Sequence, residues 1–196
     1  MIADGYHDVP AGKLVNVVLY LELRTPSTQP FEPRDDVSIV RSHPSSDAYR
    51  ETFRRIGAPY LWSSRLAMPD EHLAAILGDP KVETYDLLRD GTLVGFLELD
   101  FREASQCELA FFGLVRDAQG KGLGRHLMRF ALQRAWQRPI DRVWLHTCTL
   151  DDPAAIPFYR RTGFVPYKRQ FEIADDPRIS GLLPVDCAPG IPLLRF

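Results

Sequence analysis

The sequence predicts an α/β domain with a mixed sheet, and three observations carry that expectation. Two strand-like runs, residues 82–88 and 92–101, flank Arg89-Asp90-Gly91, where Asp-Gly is a strong hairpin signal. A third apolar run, 108–115, leads to the glycine-rich turn Gln119-Gly120-Lys121-Gly122-Leu123-Gly124, which opens a helix-patterned segment. A further strand-like run, 141–149, follows that segment, so a helix crosses from the meander to a strand beside it.

The elements follow in order. Residues 1–13 are a polar lead-in. Residues 14–23 are apolar and β-branched, a good strand. Residues 24–33 hold three prolines and read as a loop. Ser45 or Ser46 can cap a helix over 47–56 that Gly57 ends. The aromatic stretch Pro59-Tyr60-Leu61-Trp62 is irregular, and Pro69 starts a second helix over 70–77 with Gly78 as its stop. The helix expected over 121–137 repeats apolar residues at Leu123, Leu127, Ala131 and Ala135, with Met128, Phe130 and Leu132 widening the face that packs on the sheet. Asp152 can cap a short helix that Pro153 opens and Gly163 closes. Residues 164–173 form a last strand, and a proline-containing tail, 174–196, wraps the surface.

Bulk properties narrow the function classes. At 196 residues the chain is expected to be one domain, 1–196, with a substantial core. Its net charge of −2 offers no overall field for nucleic acid. Between Arg116 and Arg138 there are six basic residues and one acidic residue, which suits either a solvated helix face or an anion site. Cys107, Cys148 and Cys187 are sparse, odd in number and without metal-ligand spacing, so no metal is expected and reduced thiols are. The N-terminus lacks a signal-peptide pattern and no apolar run is long enough to span a bilayer. A cytoplasmic protein without membrane contact is the expectation.

The glycine turn is the most informative stretch. A strand, a glycine turn and a helix N-terminus in that order present bare N–H groups and partial positive charge to an anion. A P-loop needs Lys followed by Ser or Thr, whereas Lys121 precedes Gly122. A Rossmann fingerprint needs its third glycine one place later than Gly124 and an acid at the end of the next strand, whereas Asp141 begins that strand. Both readings fail on spacing.

Gln119-Gly120-Lys121-Gly122-Leu123-Gly124 resembles instead the pyrophosphate loop of the GNAT (Gcn5-related) N-acetyltransferase superfamily, Gln/Arg-x-x-Gly-x-Gly/Ala. The segment from Asp152 to Phe164 is similar to that family's second signature, Asn-x-x-Ala-x-x-x-Tyr-x-x-x-Gly-Phe. The resemblance covers about 82–173 and implies an acyl-CoA N-acyltransferase fold: a mixed central sheet of about six to seven strands with helices on both faces. It implies acetyl-CoA as co-substrate, with Phe112 and Leu114 offering backbone groups to the pantetheine amides. Gln119, Gly120, Lys121, Gly122, Leu123, Gly124 and Arg125 would surround the pyrophosphate, with Asp152 nearby. Gly113 marks a bulge or a close backbone approach on the strand before the loop.

The implied reaction moves an acetyl group to a primary amine of a small molecule or peptide by direct attack. Tyr159 holds the position of the family's acid tyrosine and stays protonated at neutral pH. Glu108 is the favoured base, with Glu98, Asp100 and Glu103 as rivals. Without a bulge Glu108, Ala110 and Phe112 share one strand face. His146 reads as structural, and Cys148 has no group placed to activate it. Two positions depart from the family pattern: Asp152 stands for asparagine and can accept but not donate, and Pro157 removes a backbone donor. The acceptor side is expected from about 14–80 and the tail, with Tyr60, Trp62 and Arg65 as candidates for its wall. A homodimer is common in such a family. A non-catalytic acyl-CoA-binding or sensor domain is the alternative.

Overall fold

A computed structural model describes residues 3–26 and 30–194; residues 27–29 of the expected loop and the last two residues of the tail lie outside these. The sheet has seven strands: β1 (Lys13–Leu23), β2 (Ser38–Ser42), β3 (Val82–Arg89), β4 (Thr92–Asp100), β5 (Gln106–Leu114), β6 (Arg142–Cys148) and β7 (Val165–Asp175). Their order across the sheet is β2-β3-β4-β5-β6-β1-β7. Strand β2 was not foreseen; only five residues long, it carries too little alternation to be read alone and exists as the partner of β3. Strand β1 inserts between β6 and β7 and pairs antiparallel with both. Nothing local to residues 14–23 specifies those neighbours.

The helices are α1 (Ser46–Gly57), α2 (Ser64–Ala67), α3 (Asp70–Gly78), α4 (Leu123–Ala135) and α5 (Ala155–Arg161). Helices α1 to α3 cover one face, where Tyr49, Phe53, Ile56 and Leu73 pack with Phe96 of β4. Helices α4 and α5 cover the other, where Leu123, Leu127 and Tyr159 pack with Leu97, Leu99 and Leu145. The serine choice resolves to Ser45, whose Oγ accepts from the Ala48 N–H at 3.3 Å. The tail does more than wrap the surface, since Leu183 enters the α1-side core beside Leu14. Its return is pinned by the buried pair Arg178–Asp176 at 2.7 Å, with Arg178 Nη1 also donating to Ile191 O at 2.9 Å. Among the described residues no helix is long and apolar enough to cross a membrane.

Helix α4 starts two residues later than expected because Gly122 lies at φ +76°, outside helical space. Its predicted apolar stripe is buried throughout. The basic run divides by role. Arg134 Nε and Arg138 Nη2 each reach the fully buried Glu83 at 2.7 Å and tie the helix to β3, while Arg125 and Arg129 line the main cleft.

Strand β5 positions the site. The bulge is not at Gly113: Glu98 pairs with Phe111 and Leu99 with Leu109, so Ala110 is the extra residue. The phase change is visible in packing, with Leu109 in the α4-side core and Phe111 against the α1-side core. Glu108 and Phe112 therefore face opposite sides of the sheet. Gly113 is a close approach instead, where a Cβ would stand 2.4 Å from Ile56 Cγ2.

Candidate functional site

Strands β5 and β6 are the sheet's parallel pair, and they stay paired only at Gln106–Glu108 against Arg142–Trp144. Beyond that point β5 follows β4 and β6 follows β1, so the sheet opens. A cleft of about 1300 Å³ fills the gap. Backbone N–H and C=O groups freed by the splay face it, which suits an extended ligand with amide groups.

The glycine turn closes one end. Gly120 and Gly122 sit at φ +72° and +76°, the left-handed region that residues with a side chain enter at a cost. No side chain caps α4, so its first-turn N–H groups are bare. Gly124, inside that turn, lines the cleft, and a Cβ there would make ordinary contact with Leu114 Cδ1 at 3.7 Å and the Phe158 ring at 3.9 Å. Uncapped donors, a helix N-terminus and the nearby Arg125 and Arg129 make a cradle that can hold a diphosphate.

Most of the expected co-substrate contacts line this cleft: Phe112, Leu114, Gln119, Gly120, Gly122, Gly124, Arg125 and Asp152. Two do not. Lys121 is exposed outside it, and the Leu123 side chain is wholly buried in the α4-side core, leaving only its N–H for a ligand. Gln119 and Asp152 are linked through one hydroxyl: Gln119 Nε2 donates to Tyr60 Oη at 3.0 Å, and Tyr60 donates to Asp152 Oδ2 at 3.3 Å. Asp152 Oδ1 also accepts from Ala154 N at 2.8 Å, a turn ahead of α5 rather than the cap expected of it, since the helix begins at Ala155 with no side-chain cap. Pro157 sits third in α5, where an N–H has no intrahelical acceptor in any case.

Tyr159 is buried on the cleft wall with its ring edge-on to Phe112 and Phe164. Burial and the charge of Asp151 push its phenol above the usual tyrosine range, so it stays protonated across neutral pH. Glu108 does not line the main cleft; it lies in a smaller side pocket with Asp100, Arg102, Glu103 and Trp144. Its Oε1 is 3.5 Å from His146 Nδ1, and the half-exposed His146 does line the cleft. Hydrogen bonding to Glu108 raises the imidazole pKa against an opposing effect of burial. The rival carboxylates are engaged elsewhere: Glu98 is fully buried between Tyr49 and Arg65, Asp100 pairs with Arg102 at 2.5 Å, and Glu103 accepts from Gln106.

Tyr60 and Trp62 line the cleft as expected for an acceptor wall, but Arg65 does not. It is 8% exposed, paired with Glu98 at 2.5 Å and set over the Phe111 ring, because a guanidinium at that depth needs a carboxylate partner. Asp151 is a cleft residue the sequence reading missed. Its Oδ1 accepts from Trp62 Nε1 at 2.9 Å, and its Oδ2 accepts from Thr147 Oγ1 at 2.7 Å and Cys148 N at 2.9 Å. Burial and Asp151 push the Cys148 thiol up to about 11, leaving almost no thiolate at neutral pH. No group of three or more His, Cys, Asp or Glu is arranged to hold a metal among the described residues.

Comparison with known proteins agrees with the fold. A model described as the acetyltransferase (GNAT) family matches residues 46–164, more than half of the chain, and the chain belongs to that family. A streptothricin acetyltransferase of Streptomyces lavendulae is 36% identical over 76 residues, 38% of this chain and 40% of that protein. Among solved structures, a GCN5-related N-acetyltransferase from Sphaerobacter thermophilus superposes with a TM-score of 0.61 at 18% identity, covering 82% of this chain and 52% of that one. An aminoglycoside acetyltransferase from an uncultured soil metagenomic sample gives 0.53 at 20% identity, over 66% and 88%. The match spans less than half the length of the streptothricin relative.

Proposed function

We propose that this protein transfers an acetyl group from acetyl-CoA to a primary amine of a small molecule. One observation carries the reading: the splay of β5 from β6 opens onto the uncapped start of α4 and brings Tyr159 and His146 to the same cavity. Similarity to a streptothricin acetyltransferase and to aminoglycoside acetyltransferases supports a small-molecule acceptor.

The donor lies along β5, with its pantetheine arm on the backbone of Phe112 and Leu114 and its diphosphate on the N–H groups of Gly120 to Arg125. The amine attacks the thioester carbonyl carbon. A C–N bond forms, the C–S bond breaks, His146 Nε2 takes a proton from the amine, and Tyr159 gives one to the leaving sulfur. Glu108 acts through His146: its carboxylate fixes the ring through Nδ1 and raises the imidazole pKa above the ordinary histidine value. The role given to Glu108 thus passes to the histidine in front of it. Alignment of the two substrates in one cleft supplies most of the acceleration.

Release of the CoA thiol, measured with acetyl-CoA and a panel of streptothricin, sisomicin, simple amines and a lysine-containing peptide, tests the reading. Turnover of at least one small amine is the expected result. A thermal shift with acetyl-CoA but no thiol release from any acceptor would make this a binding domain instead.

A further inference from the structure

The cations of the diphosphate cradle, Arg125 and Arg129, both stand on α4. A further cation reaches the same turn from a distant part of the chain. Residues 30–37, which lead into β2, lie along the first turns of α4. The Phe31 ring centroid is 4.8 Å from that of His126 and 5.5 Å from that of Phe130, and Val37 packs on the α4-side core. Between those anchors Arg34 stands beside Gly122, where a Cβ would lie 3.6 Å from its Nη1. Arg34 does not line the cleft, whose wall at this end is Gly122 itself, so it meets a ligand only where that ligand emerges past the turn.

The guanidinium is held by one edge. Arg34 Nε donates to Asp36 Oδ1 at 2.8 Å and Nη2 to Asp36 Oδ2 at 2.9 Å, a two-pronged fork. Nη1, left out of the fork and nearest to Gly122, makes no hydrogen bond among the described residues. Asp36 also accepts from Arg89 Nη2 at 2.7 Å, so one carboxylate serves two guanidinium groups and the cluster keeps a surplus positive charge. Hydrogen bonds from Arg34 and Arg89 hold Asp36 far below the usual carboxylate range, so the fork persists at any working pH. The field of Arg34 reaches the start of α4: burial first and the Arg34 charge second push the His126 imidazole below the ordinary histidine value. With side chains 36% and 45% exposed, the Arg34–Asp36 pair adds little to stability. Such a fork aims the free nitrogen more than it braces the loop.

We infer that Arg34, aimed by Asp36, is a further donor-binding residue whose Nη1 meets a phosphate of acetyl-CoA at the N-terminal end of α4. The turn's N–H groups supply partial charges, and Arg34 adds a full one. The diphosphate and the ribose 3′-phosphate of the donor offer the same chemistry to a guanidinium. Residues 14–80 were expected to serve the acceptor, and Arg34 gives the donor a hold on that region. The inference rests on the proposed acetyl-CoA reading and deepens it.

Calorimetric titration of the whole protein with acetyl-CoA and with its 3′-dephospho form, over a range of salt concentrations, tests the assignment without requiring turnover. Arg34→Gln is expected to weaken acetyl-CoA binding by about tenfold with Tm unchanged. It should also flatten the salt dependence of Kd, because one fewer charged contact is screened. Arg34→Lys keeps the charge without the fork and should lose less. A loss that disappears with the dephospho form assigns Nη1 to the ribose 3′-phosphate, and one that persists assigns it to the diphosphate. An Arg34→Gln affinity within about twofold of the parent would overturn the inference. So would a loss accompanied by a lower Tm and an unaltered salt dependence, which marks a strut for the loop. The two readings fail differently. Equally tight acetyl-CoA binding by the parent and Arg34→Gln removes Arg34 and leaves the acetyl-CoA site, whereas no binding by the parent removes both.

Discussion

The two walls of the cleft are built differently. The wall assigned to the donor comes from one continuous stretch, Leu109 to Arg125, and works mainly through backbone groups whose geometry two positive-φ glycines set. The wall assigned to the acceptor is assembled from Asn16, Trp62, His146, Asp151 and Glu172, which lie on three strands and two connecting segments far apart in the chain, and it works through side chains. A backbone site tolerates almost any sequence with glycines in the right places. A side-chain site changes its ligand with each substitution. This accounts for a family whose donor loop is readable while its acceptors differ.

The difference can be broken from below. Arg65 and Glu98 sit under the acceptor wall, beneath Phe111 and next to Tyr49. Arg65→Met should leave a buried, unpaired carboxylate and cost about 3–5 kcal/mol, the largest effect expected here, read by chemical denaturation. Double replacement of Arg65 and Glu98 by apolar residues should recover much of that loss. If the single variant is as stable as the parent, the pair does not support the wall.

Within the cleft, His146→Gln and Tyr159→Phe should each lower kcat by roughly 10²-fold. The donor wall is untouched by either, so acetyl-CoA affinity by calorimetry should stay within about twofold. A matching fall in acetyl-CoA affinity would erase the division between the walls. Gly122→Val should act in the opposite sense. It forces a β-branched residue to φ +76° and should weaken acetyl-CoA binding by about tenfold, leaving kcat at saturating donor within a few-fold.

The smallest effect should come from Glu108. His146 must be neutral to accept a proton, so activity rises with pH through a pKa that Glu108 raises above the ordinary histidine value. In Glu108→Gln that support is gone, and the acid limb of kcat/KM should move to lower pH, toward the ordinary histidine value, with a modest fall in the plateau. An acid limb that does not move would free His146 from Glu108. A direct role for the carboxylate would instead remove the acid limb's histidine character and abolish most activity.

Much of the architecture was legible because it depends on local signals. The Asp90-Gly91 turn, the stripe from Leu123 to Ala135 and the helix stops at Gly57 and Gly78 all follow from residues within a few positions of each other. The misread features depend on contacts between distant segments. A glycine in a strand can mean a bulge or a close approach. Ile56, fifty-seven residues earlier, makes Gly113 the second, while the bulge falls on Ala110, whose side chain gives no signal. That single inserted residue turns Glu108 away from Phe112 and toward His146, and so moves the proposed base from one residue to the other.

What the sequence determined by itself was the family, the order of strands and helices apart from β2 and α2, and the glycine turn that precedes α4, because glycine conformation and helix termini are properties of contiguous chain. The tertiary structure alone decided that β1 lies between β6 and β7, that Arg65 belongs to the core, and which side chains face one another across the cleft. Those outcomes depend on burial and charge pairing among residues up to about 150 positions apart, and at that range neighbouring sequence carries no information about which side chains meet.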